Sequence, residues 1–163
     1  MSDILTAELV GRAFAVIRPA VEATLRAEVT DRRALALVVT TTDALRRGAA
    51  DDATDFQSGC LLVTSIGDLS RSPYPNLEIA LKKAEMSART GLPTAQMPAH
   101  YLRSGDTIFW GSAVLNGIVV ACAGLEPRHD EMFSHWFAAT IQAEARLEFE
   151  RRIGASPDSS FLL

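Results

Sequence analysis

Cysteine is scarce in this chain, and the two residues present suit no common cysteine chemistry. Cys60 stands before the run LLVT and Cys122 follows IVVA, so both read as buried free thiols, with a disulfide left open. The absence of a C-x-x-C pair removes support for a structural zinc site or a dithiol redox site. Long apolar runs are also missing. None approaches the roughly 20 residues that span a bilayer, so no membrane partner is expected. The opening MSDILTAELVGRAF has no basic stretch ahead of an apolar core and does not read as a secretion signal, which makes the cytoplasm the expected compartment. Nucleotide binding is disfavoured because there is neither a P-loop nor a G-x-G-x-x-G stretch. Gly111-Ser112 lies in no G-x-S-x-G elbow, which leaves a serine hydrolase without support. Excess positive charge is absent too. The net charge of -4 and the isoelectric point near 5.4 disfavour binding to phosphate backbones. The basic pairs, Arg32-Arg33 among them, read as isolated solvated surface.

What is present is ordinary globular material. The 163 residues are 48% apolar and 22% charged, which fits one domain able to bury a core. We expect a single domain over residues 1–153 and a tail over 154–163, flexible or docked through Phe161-Leu162-Leu163.

Residues 4–29 carry a helical stripe of Leu5, Leu9, Ala13, Val16 and Ile17, with Ser2 or Asp3 as its cap and Pro19 predicting a kink or break. Residues 34–41 and 59–66 read as strands. Between them lies a polar loop with Gly48 and the acidic residues Asp51, Asp52 and Asp55, which lack the spacing of a calcium loop. Asn76 is placed to cap a helix running to about Thr90, with Leu77, Ala80, Leu81, Ala84 and Ala88 as its apolar stripe. TIFWGSAV and IVVACAG flank Asn116-Gly117, a strong hairpin signal, and Gly111 predicts a bulge or a close backbone approach. The last helix opens at Pro127 and carries two apolar stripes. One runs through Met132, Trp136, Ala139, Ala143 and Leu147, the other through Phe133, Phe137, Ile141, Ala145 and Phe149. Two stripes exceed what one sheet face needs, so one is expected to meet a partner subunit; enclosure within the chain's own domain is the alternative. This order of elements predicts an α+β fold with a sheet covered by helices.

Three segments resemble the GlcG/HbpS-like family of small heme-associated proteins, which includes domains like the C-terminal domain of PduO. They are ALKKAEMSARTGLPTAQMP, GDTIFWGSAVLNGIVVACAG and LEPRHDEMFSHWFAATIQAEA. The match of order and spacing covers roughly residues 75–150. In the first half VVTTTDALRRGAADD stands where members carry a Val-Val-Asp-x-x-Gly-like hairpin, and Thr40 takes the place of an acidic residue. The resemblance implies a profilin-like antiparallel sheet of about five strands, flanked by helices and ending in a long C-terminal helix. It also implies homo-oligomers, dimers or larger rings, heme or another tetrapyrrole as ligand, and a setting in catabolic operons for small acids.

Candidate chemistry concentrates in EPRHDEMFSH. His129, Asp130 and Glu131 stand at a helix start after the strand that ends at Gly124, where free backbone N–H groups can hold an anion. They are the candidate catalytic residues of a cofactor-independent enzyme that transfers protons on, or hydrolyses, a small oxygenated acid. The plainer reading has Asp130 and Glu131 satisfying the helix end while His129 is solvated. Lys83 and Arg89, with Thr94, would present charge to an acidic ligand or else face solvent. Thr90, Gly111, Ser112, Gly124 and His129 complete the expected ligand-binding set. Axial ligation of heme is open to His129, His100, His135, Met132 or a cysteine, and the missing C-x-x-C-H excludes covalent attachment. Glu131 and His135 share a helix face but lack a third ligand, so no metal is expected. The leading expectation is a small-ligand-binding accessory or sensor protein. The enzyme and a structural subunit of a larger complex are the alternatives.

Overall fold

The computed structural model describes residues 3–44 and 56–162. The stretch with Gly48, Asp51, Asp52 and Asp55 lies outside the described residues. Helix α1 covers Ala7–Arg26, strand β1 Leu35–Thr41 and strand β2 Leu62–Ile66. Helix α2 follows over Asn76–Thr90, strands β3 and β4 over Ser112–Leu115 and Ile118–Ala123, and helix α3 over Pro127–Ala155. The sheet has the order β2-β1-β4-β3 with every neighbour antiparallel. It therefore has four strands among the described residues, where about five were expected.

The sheet is the middle of three layers. β1 and β4 are apolar on both faces because helices cover both. Leu35, Leu37, Val39, Val120 and Cys122 point to α1 and α3, where Phe14 stacks on Phe137 at 5.8 Å. Ala36, Val38, Val119, Ala121 and Ala123 point to α2, whose Ala80, Ala84 and Ala88 allow close approach. Burying this paired apolar surface is the main stabilising term.

The helix ends differ in detail from expectation. Thr6 caps α1 by accepting the Leu9 N–H at 3.1 Å, in place of Ser2 or Asp3. Pro19 neither breaks nor ends α1. It sits on the exposed side of the helix. Val16 is 61% exposed, so the buried face of α1 runs instead through Leu9, Val10, Ala13, Val21 and Leu25. Asn76 is the first residue of α2 and makes no cap; its Nδ2 donates to Ser72 Oγ at 2.8 Å. Leu77 lies outside the buried stripe, and Lys83 lies within it.

The hairpin forms as expected. Asn116 at φ 49° and Gly117 at φ 85° both take positive values, the pattern of a type I′ turn. The strand before it is shorter than TIFWGSAV suggests. Residues 107–111 leave the sheet, with Ile108 88% exposed and Phe109 and Trp110 on the surface. Of the two stripes on α3, Phe133, Phe137 and Ile141 are buried and Met132 and Trp136 pack half-buried against the same core. Ala139, Ala143 and Leu147 are exposed.

Candidate functional site

Lys83 decides where the site lies. It projects from the buried face of α2 toward the end of β4, with its side chain 1% exposed. An ammonium in that position needs acceptors close by. Nζ donates to the Cys122 carbonyl at 2.8 Å and to Asp130 Oδ2 at 3.0 Å. Asp130, from the first turn of α3, is buried as well, and its Oδ1 accepts the Leu125 N–H at 3.0 Å. Burial pushes the Asp130 carboxyl up to about 6, against the opposing pull of Lys83 and the Leu125 N–H. Asp130 thus does more than satisfy a helix end. Lys83 is likewise no solvated residue.

Gly111 permits this pairing. Its φ is +130°, and a Cβ there would lie 2.7 Å from Asp130 Cβ and 3.2 Å from Lys83 Nζ. The close backbone approach expected from the sequence is therefore real, and it occurs at the ion pair. Ser134 holds the strand in place: its hydroxyl donates to the Gly111 carbonyl at 2.8 Å and accepts the Cys122 N–H at 3.0 Å. Thr94 Oγ1 accepts the N–H groups of Gly111 and Ser112 at 2.9 and 3.1 Å. Ser112 Oγ pairs with Ser87 Oγ at 2.7 Å and takes the Thr94 N–H at 2.8 Å. This hydroxyl cluster ties α2, β3 and the loop after α2 together. Ser112 is fully committed to that frame.

A cleft of about 130 Å³ opens over the ion pair. Besides Lys83 and Asp130, its walls include Arg32, Tyr74, Phe109 and Gly124. The Arg32 guanidinium donates to the Leu125 carbonyl at 3.1 Å and lies over the Tyr74 ring at 5.5 Å. Tyr74 meets Phe109 edge-on at 5.9 Å. Glu126 lines the same cleft. Its carboxyl is pulled down to about 2, chiefly by the Thr30 hydroxyl at 2.6 Å and further by His129 Nδ1 at 3.1 Å.

The other expected site residues do not converge here. Arg89 is engaged with Asp106 at 2.8 Å and with the Tyr101 carbonyl, and Thr90 Oγ1 donates to the Met86 carbonyl. Both lie at the far end of α2, about 9 to 10 Å along the axis from Lys83 by the helical rise. Glu131 points away from the cleft toward His135, at 3.9 Å. His129 reaches the cleft only through Glu126. His100 and His135 are exposed, and Met132 packs against the core. Among the described residues no cluster of three potential ligands could hold a metal. Both cysteines are free, Cys122 buried and Cys60 half-buried, and burial pushes their thiols up to about 12 and about 11. Neither is poised as a nucleophile.

Sequence reasoning missed Arg32, Tyr74 and Phe109. Arg32 stands in the pair Arg32-Arg33 and looked like solvated surface; Phe109 looked like a strand residue. Only the fold brings the loop after α1 next to the end of β4. No helix among the described residues is long and apolar enough to cross a membrane. No family model matches the chain, and no curated protein or solved structure does either, so the likeness to GlcG/HbpS-like proteins rests on the three motifs alone.

Proposed function

We propose that the protein binds a small oxygenated acid in the cleft over Lys83 and Asp130. The buried ion pair facing a cavity carries this reading. A lysine and an aspartate kept almost wholly from solvent cost free energy to desolvate, and such groups concentrate at functional sites. Lys83 Nζ has two acceptors in place and three hydrogens to donate, which leaves one for a ligand oxygen. Arg32 supplies a second cation in the cleft lining, suited to a carboxylate.

The size of the cleft limits the ligand. At about 130 Å³ it holds roughly four water volumes of ~30 Å³ each. That suits an acid of a few carbons and falls short of the 300 Å³ or so at which drug-sized pockets begin. A heme, which the family resemblance implies, is too large for this cleft and would need a different site. An accessory or binding role beside small-acid catabolism agrees with this reading. The antiparallel sheet with helices on both faces supports the profilin-like assignment.

Calorimetric titration with glycolate and pyruvate, beside a visible-range titration with heme, tests the proposal. Saturable binding of an acid that is lost in Arg32→Ala is the expected result. A saturable Soret shift with no acid binding would overturn it in favour of the tetrapyrrole.

A further inference from the structure

We propose that the same cleft is catalytic: Asp130 moves a proton at the carbon beside the carbonyl of a small 2-oxo acid, while Lys83 steadies the resulting enolate. This rests on the acid-binding reading above and adds a reaction to it.

The geometry lines one small space with three anchored groups, Arg32, Lys83 and Asp130. Arg32 is anchored by the Leu125 carbonyl and by Tyr74, so its charge is available to a carboxylate without reorganisation. Lys83 is anchored by Cys122 and Asp130 and keeps one donor free. Both of its partners are pure acceptors, which suits a cation acting by charge better than an amine acting as nucleophile. Asp130 is oriented through Oδ1 by the Leu125 N–H, and each of its oxygens retains a second lone pair. Burial of the pair strengthens every interaction with charge that develops between them.

The cleft also narrows the reaction class. No serine, threonine or cysteine is among the described residues that line it. An aliphatic hydroxyl or a thiol as nucleophile for acyl transfer is therefore not provided there; the one hydroxyl in the lining is the Tyr74 phenol. A base and a cation are provided, and those are the groups that proton transfer next to a carbonyl requires. In the step, the C–H bond at the carbon beside the carbonyl breaks and its proton goes to an Asp130 oxygen. The electron pair becomes the new C=C bond, and the carbonyl oxygen becomes an enolate oxygen that accepts a hydrogen bond from Lys83 Nζ. Return of a proton from Asp130 restores the carbonyl. Separately, the upward shift of Asp130 makes it a stronger base than an ordinary carboxylate while leaving it ionised at neutral pH.

The test follows the C3 protons of 2-oxobutyrate by NMR in D2O with the full chain. Saturation-transfer NMR monitors binding in the same samples. Wild type is expected to bind the acid and to exchange its C3 protons faster than buffer alone. Asp130→Asn should slow exchange by about a hundredfold or more. Asp130→Glu, which keeps the charge and displaces the carboxyl, should slow it as well and guards against a misfolded amide variant. Binding without exchange in wild type would overturn the catalytic inference and leave the binding reading standing. Failure to bind would sink both. Exchange that persists in a folded Asp130 variant would overturn the role of Asp130. A borohydride-trapped adduct on Lys83 would overturn the role of its ammonium.

Discussion

Lys83 Nζ lies 3.0 Å from Asp130 Oδ2, and the two side chains are 1% and 4% exposed. The contact joins the middle of α2 to the first turn of α3 across the end of the sheet. Each charge depends on the other, because both are almost wholly withdrawn from solvent. Removing one partner leaves an uncompensated buried charge, which costs about 3–5 kcal/mol. Lys83→Met and Asp130→Asn are each expected to lower unfolding stability by about that amount. The double variant Lys83→Met, Asp130→Asn removes both charges and should regain most of the loss. Urea unfolding of the four proteins measures the coupling, and additive losses would contradict it.

Stability should depend on pH through the same pair. The Asp130 carboxyl is raised from its ordinary 3.8 to about 6 by burial. The folded state therefore holds its proton to higher pH than the unfolded chain does. Its contribution is fully present below about pH 4 and is lost as pH rises through 6. Glu126 acts in the opposite sense. Its carboxyl is lowered to about 2, so its contribution is present above its ordinary 4.5 and is lost as pH falls toward 2. Thermal midpoints between pH 4.5 and 6.5 should fall in wild type and stay flatter in Asp130→Asn. Equal slopes for the two proteins would show that Asp130 titrates normally.

Gly111→Ala should disable the site more than its small size suggests. The new methyl would sit 2.7 Å from Asp130 Cβ, at a φ of +130° that side chains avoid. Either the strand moves or the ion pair opens. We expect a loss of at least about 2 kcal/mol from backbone strain and displaced packing. Acid binding should disappear even below the melting temperature. A variant that binds with unchanged affinity would mean that the pair tolerates the displacement.

The elements of the fold were legible where local signals suffice. Asn116-Gly117 fixes its turn through backbone conformation alone, and the alanines of α2 mark a buried face by spacing alone. The strand before the hairpin was overextended because Ile108, Phe109 and Trp110 look like core residues. They are surface residues, since Gly111 and its bonds to Thr94 and Ser134 end the strand first. Of the site, Asp130, Lys83, Gly111 and Gly124 were singled out from their motifs, but their partnership was not. Lys83 and Asp130 are 47 positions apart, and nothing local pairs them. Arg89 and Thr90 looked equivalent to Lys83 on a helix drawn without its neighbours. The fold separates them by committing Arg89 to Asp106. Arg32 was invisible for a related reason: its role comes from the Leu125 carbonyl and the Tyr74 ring, both distant in sequence.

Arg32 also gives the cleanest separation of function from stability. Its guanidinium contacts are the Leu125 and Gly124 carbonyls at 3.1 and 3.5 Å and an exposed aromatic ring, and it acts on the buried Asp130 carboxylate through charge alone, without a hydrogen bond. Arg32→Gln should therefore cost the fold little, within about 1 kcal/mol. A charge-assisted hydrogen bond to a ligand carboxylate is worth about 1.5–3 kcal/mol, so the affinity for a small acid should fall roughly tenfold to a hundredfold. Arg32→Lys keeps the charge but loses the planar fork and the stacking on Tyr74, and should recover only part of the affinity. Calorimetry on the three proteins at one pH measures the series. Full affinity in Arg32→Gln would show that the ligand's acid group lies elsewhere, with Lys83 as the remaining cation able to receive it.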